Sequence, residues 1–212
     1  MIGMYKLFGP ESKLVKGLTK VSELIFLNIL WLLGCLPVIT IGTSTAALYR
    51  CVRLCRTNAG APLFQEFISA YKGNFKKATA LFAILAVLVT IVLADVYIAL
   101  RLHTVLGAVG IFGFAALGAL ILMVCGYLLP LQARFENTIG QTLKNAWVMT
   151  LVHLPKSLAV MVLNLLPVFM WALWPEIFLR CLPILTFCGG SVIAYLNGWI
   201  LDSVFLKYIE GV

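Results

Sequence analysis

The chain has 212 residues, of which 62% are hydrophobic and only 11% charged, and its 16 Lys and Arg outnumber its 8 Asp and Glu for a formal net charge of +8. A soluble domain carries about 25% charged residues to cover its surface, so this composition excludes a water-soluble monomer. It leaves room for one membrane domain of five or six spans at about 20 residues each, and for no separate catalytic domain.

The cations fall between the apolar runs instead of in one patch, which points to a positive inner face and anionic lipid and away from nucleic acid. Cys35, Cys51, Cys55, Cys125, Cys181 and Cys188 lie mostly inside apolar stretches with no Cys-x-x-Cys pair, and read as small buried hydrophobes. Leu32-Leu33-Gly34-Cys35 has the look of a lipoprotein cleavage box. The long polar lead-in and the later spans make it the end of an uncleaved first span.

In chain order, Met1 to Lys20 carries Lys6, Lys13, Lys16 and Lys20 and reads as an interfacial lead-in. The first span runs from about 21 to 36, and Pro37 ends it. Thr43 to Arg56 then sets Arg50, Arg53 and Arg56 three apart, along one drifting stripe of a helix. Two readings compete: a surface helix, giving five spans, or a short second span over about 39 to 56, giving six.

Charge favours six, because that count with an inside amino terminus puts fourteen cations inside and leaves only Arg101 and Arg180 outside, against ten and six for five spans. Length favours five, since fourteen residues at about 1.5 Å each fall short of a core of about 30 Å. The expectation taken forward is an all-α polytopic bundle of six spans, with five as the alternative.

Asn58 to Pro62 reads as a turn. Phe64 to Lys77 sets apolar Phe64, Phe67, Ile68, Tyr71 and Phe75 against Lys72, Lys76 and Lys77, an amphipathic helix expected at the inner surface. It feeds a span over 78–100. Further spans are expected over 105–129, 155–174 and 177–201, with a second polar helix over Gln132 to Trp147 that carries Lys144. Gly190, Ala194 and Gly198, four residues apart, form a helix-packing ridge. A loose repeat of span, basic end, Lys-Asn helix and span relates the two halves.

Asp95 is an intramembrane carboxylate and a candidate for ion or proton coupling, or a partner for Arg101 or His103 at the outer boundary. Asn28, Asn164 and Asn197 either line a path or hydrogen-bond between helices, and Pro167 beside Asn164 makes that pair the best transport candidate. Asp202 is expected to pair with Lys207 near the inner boundary. His103 and His153 adjoin no Cys or carboxylate at ligand spacing, so no metal or cofactor is expected. No phosphate loop, nucleophile elbow or His-Glu-x-x-His occurs, and enzyme is the least supported class.

Gly9 to Leu14, Leu24 to Leu33, the stretch Leu36-Pro37-Val38-Ile39-Thr40-Ile41-Gly42-Thr43-Ser44 and the motif Tyr71-Lys72-Gly73-Asn74-Phe75-Lys76-Lys77 resemble the YesL family of small bacterial integral membrane proteins of uncharacterised function. The resemblance implies a plasma-membrane location and a link to carbohydrate uptake, with an ABC importer or another membrane protein as partner; it supplies no catalytic residues. The expected function is an accessory or regulatory membrane component with both termini in the cytoplasm. Its inner-face contacts to partner or lipid would be Arg50, Arg53, Arg56, Lys72, Lys76, Lys77 and Lys144. The alternative is a small self-contained transporter or channel using Asp95, Asn164, Pro167 and Asn28.

Overall fold

Pro37 stops the first helix, because a proline has no N–H to continue the ladder and disfavours helical backbone in the residue before it. In a computed structural model that describes residues 13–57, 61–101 and 105–209, α1 (Lys13–Cys35) runs unbroken up to that point. The chain reverses through one 3-10 turn, Val38–Thr40. The Thr40 hydroxyl donates to the Gly34 and Pro37 carbonyls, at 2.8 and 2.7 Å, in a shared hydrogen bond that ties off the turn.

α2 (Ile41–Thr57) then returns alongside α1. The Ser44 hydroxyl donates to the Trp31 carbonyl at 2.8 Å, the Trp31 indole N–H donates to the Thr45 hydroxyl at 3.1 Å, and Leu27 packs with Leu48 and Cys51. Nine of the 17 residues of α2 are buried, because α1, α3, α4 and α8 surround it. Thr43 and Ser44 are therefore buried against protein groups, and the half-buried Thr45 is held by Trp31, so the polar side chains of this helix find partners within the bundle.

α3 (Leu63–Arg101) is a single helix of 39 residues, about 58 Å long at 1.5 Å per residue. The amphipathic helix expected over Phe64 to Lys77 is present and runs without a break into the apolar stretch that it was expected to feed. Nothing in Phe75-Lys76-Lys77-Ala78 breaks a helix, and Phe67 and Ala70 are buried against α2 while Phe64 and Phe75 stay exposed. The Thr43 hydroxyl lies 2.9 Å from that of Thr79, and Arg50 pairs with Glu66 at 3.6 Å, so α2 and α3 run antiparallel.

Gly42 allows this contact. A Cβ built there would stand 2.6 Å from the Ala78 carbonyl oxygen and 2.5 Å from the Phe82 Cβ. The backbone of α3 cannot give way as a side chain would, so Gly42→Val is expected to destabilise the bundle by about 1–3 kcal/mol, the usual cost of overpacking. Thermal unfolding of the detergent-solubilised variant measures it, and a melt that superimposes on the wild type would contradict this account of the contact.

α4 (Val105–Arg134) runs antiparallel to α3: Gly110 faces Ala99, Gly118 faces Val92, and the Gln132 amide donates to Asn74 at 3.4 Å. α5 (Ile139–Val152) starts at a capping box in which the Thr138 hydroxyl accepts from the Gln141 N–H and the Gln141 side chain accepts from the Thr138 N–H. α6 (Leu154–Leu173) continues through Pro167. α7 (Pro175–Ile184), a π turn (Leu185–Gly189) and α8 (Gly190–Ile209) follow as one interrupted rod.

Among the described residues, five segments are long and apolar enough to cross a membrane: most of α1, all of α3, most of α4, all of α6, and the rod from Pro175 to Leu206. α2 falls outside this group, yet it is packed into the bundle's interior. The architecture is an all-α polytopic membrane bundle. Two apolar clusters hold it, one around Leu81, Tyr127, Leu128 and Phe205, the other around Leu27, Leu48, Val52 and Phe67.

Candidate functional site

The ends of α2, α4 and the middle of α8 meet at one corner, and each brings charge. Asp202 on α8 carries two partners, Arg134 through Oδ1 and Arg56, whose Nη1 stands 3.0 Å from Oδ2. Both carboxylate oxygens face arginines from other helices, and the expected pairing with Lys207 falls on a side chain outside the described residues. The Arg134 side chain is only 7% exposed and that of Arg56 14%.

The guanidinium groups are also held by rings. That of Arg56 lies 5.6 Å from the Tyr195 ring centroid, and that of Arg134 lies 5.2 Å from Phe205 and 5.8 Å from Phe135. Gly198 makes the room for Arg56, since a Cβ there would stand 2.9 Å from Nη1. One carboxylate serves two arginines incompletely. The Arg134 Nε is buried with no acceptor among the described residues, and Arg56 Nη1 forms an ion pair without meeting hydrogen-bond geometry.

These groups line a recess of about 320 Å³ with Arg50, Arg53 and Thr57. Arg50 is engaged by Glu66, while Arg53 is exposed and forms no ion pair among the described residues. Four arginines thus face a recess that contains a single carboxylate of its own. Outside it, on the same end of the bundle, Lys72, Lys76, Lys77 and Lys144 are exposed. Lys77 donates to the Asn137 carbonyl at 3.1 Å, and the Thr142 hydroxyl donates to Gln132, which itself donates to Asn74, so α3, α4 and α5 are tied together there.

The other candidates lie elsewhere. Asn28 is buried and inserted into the interrupted rod: its Nδ2 donates to the Thr186 carbonyl at 2.7 Å and its Oδ1 accepts from the Ser191 N–H at 2.9 Å. One side chain therefore spans the backbone groups at the π turn. Asn164 accepts from the Asn197 amide at 2.8 Å, and the same amide donates to the Tyr49 hydroxyl at 3.2 Å. A cavity of about 220 Å³ adjoins Asn164, Tyr49 and Thr45, and Pro167 sits one turn further along α6.

Asp95 lies in the far half of α3, between Val92 and Ala99, both of which pack on α4. Arg101 is bonded to the Tyr97 hydroxyl at 2.8 Å, and among the described residues no ion pair joins Arg101 to Asp95. The suggested His103 partner lies outside the described residues. No hydrogen bond or ion pair among the described residues connects Asp95 to Asn28 or Asn164. Gly190 meets Trp31 and Asn28, Ala194 is buried, and Gly198 meets Arg56, which puts this ridge of α8 on α1 and α2.

Sequence reading missed the joining of Arg134 and Asp202 to the arginine stripe. The available signal was that both stand at the basic ends of their spans; which cation took the carboxylate depended on helix packing.

Comparison with known proteins adds the following. The model of a family described as "Protein of unknown function, DUF624" matches residues 24–96. The chain is 26% identical over 208 residues to "Uncharacterized protein YteU" of Bacillus subtilis (strain 168), covering 94% of this chain and 88% of that one. No solved structure matches.

Proposed function

We propose that this protein is an accessory or regulatory component of carbohydrate uptake, acting by binding and not by catalysis, with its basic end in the cytoplasm and its helices in the plasma membrane. The observation that carries this reading is the gathering of exposed cations from three helices, Arg53 of α2, Lys72, Lys76 and Lys77 of α3, and Lys144 of α5, on one end of the bundle. The bias of cations toward the cytoplasmic side orients that end inward. The tie to carbohydrate uptake rests on the resemblance to the YesL family, and the partner it suggests is an ABC importer.

Co-purification in mild detergent from native membranes tests the reading. An importer subunit should accompany the wild-type protein and be lost on combined Lys72→Glu, Lys76→Glu and Lys144→Glu substitution, at least tenfold by quantitative mass spectrometry. All three side chains are exposed, so the bundle should fold regardless. A second reading, a self-contained transporter, is favoured by the Asn164, Asn197 and Tyr49 hydrogen-bonded chain beside its cavity. Sugar or ion flux into vesicles holding the purified protein alone would establish the second and overturn the first.

A further inference from the structure

We infer that the recess between α2, α4 and α8 is a binding site for a phosphate monoester group, supplied by an anionic lipid headgroup or by a soluble phosphorylated metabolite. The inference deepens the accessory reading above, because it names a ligand for its basic end. It begins from imbalance. Arg56 and Arg134 are largely buried and share one carboxylate, and a buried cation without full compensation is costly. A guanidinium has five N–H donors, and Asp202 has too few acceptor positions for two of them.

The Arg134 Nε and the Arg56 Nη1 are buried and make no hydrogen bond among the described residues, which shows that Asp202 does not saturate the two guanidinium groups. Arg53 stands at the same recess and adds a cation. A dianionic phosphate brings three terminal oxygens, matches the planar fork of arginine, and balances the surplus charge. A space of about 320 Å³ is at the small end of ligand sites, room for a phosphate with a short polar stem.

Rigidity supports a site over a loose surface cluster. The ring contacts of Arg56 and Arg134 and the missing side chain at Gly198 hold the two guanidinium groups in place before any ligand arrives. The recess opens at the basic end of the bundle, where lipid phosphates and soluble anions are both within reach.

The test uses the full chain in a neutral maltoside detergent and in nanodiscs. Inorganic phosphate and glycerol 3-phosphate are titrated into the detergent sample, and nanodiscs of phosphatidylcholine are compared with and without phosphatidic acid, all followed by thermal stability at fixed ionic strength. Saturable stabilisation by the soluble phosphates identifies a soluble ligand; stabilisation confined to phosphatidic acid identifies a headgroup. Either response should weaken at least tenfold in midpoint in Arg53→Gln, whose side chain is exposed and free of ion pairs among the described residues, and in Arg56→Lys, which keeps the charge and loses the fork. Lys72→Gln, outside the recess, should respond as wild type.

The inference is overturned if neither phosphate source stabilises the protein, or if stabilisation persists unchanged in both arginine variants. Neither outcome bears on importer co-purification, which is measured separately, so this ligand and the docking partner stand or fall independently.

Discussion

Asp202→Asn is expected to be among the most damaging single substitutions in the chain, costing about 3–5 kcal/mol, the range for removing one partner of a buried ion pair. The reason is the arrangement at the basic corner: one carboxylate accepts two guanidinium groups whose side chains are 7% and 14% exposed. Asparagine keeps the shape but leaves two largely desolvated cations facing each other. For a chain of this length that corresponds to a fall in melting temperature of roughly 6–20 °C. Scanning fluorimetry in detergent measures it. The electrostatic cause is separable from lost packing, because adding Arg134→Met to the Asp202→Asn protein should recover part of the loss by removing one surplus charge. A double variant less stable than the single one would contradict this account.

Asn28→Leu is expected to cost about 2–4 kcal/mol by a different route. The carboxamide of Asn28 serves the Thr186 carbonyl, within the π turn, and the Ser191 N–H, just after it. Leucine fills the space but satisfies neither, and each buried backbone group left without a partner costs about 1–3 kcal/mol. Lipid offers no substitute partner. Hydrogen exchange should accelerate locally at Ser191 as well as the whole protein melting earlier. Asn28→Asp separates charge from shape: a carboxylate still accepts from Ser191 but sets a buried negative charge against the Thr186 carbonyl, so its loss should be at least as large as that of Asn28→Leu. Unchanged exchange at Ser191 in Asn28→Leu would show that the rod closes its own gap.

The sequence made the helical bundle and its principal breaks legible for local reasons. Pro37 and the turn residues after it announce a reversal wherever they are placed, and the apolar runs are long enough to be read singly. The continuity of α3 was not legible, because the change from lysines to an apolar run at Ala78 reports a change of surroundings, and the helix itself carries no breaker there. α2 was legible in part: the cation count pointed to a short second span and its length to a surface helix. The four helices that cover Thr43 and Ser44, α1, α3, α4 and α8, are brought there by packing and leave no mark in the local sequence.

The candidate site was half visible. The arginine stripe of α2 could be read from its three-residue spacing, whereas its partners could not, since Arg134 and Asp202 are brought to it by helices far along the chain. Asn28 shows the same limit. A lone asparagine in an apolar helix needs a partner, but its sequence neighbourhood says nothing of the π turn that it fills.

The reversal at Pro37 also gives the bundle two heights. α1 and α2 turn back close to where Gly42 meets Phe82, while α3 runs on to Arg101, about 28 Å further at 1.5 Å per residue, with α4 beside it. The apex of the shorter pair presents Leu36, Val38 and Ile39, each about 70% exposed or more and none able to hydrogen-bond water through its side chain. Apolar side chains of this kind favour hydrocarbon, and lipid that matched the shorter pair on one flank and the longer pair on the other would differ in thickness between them, an asymmetry that would couple this fold to the thickness of its bilayer.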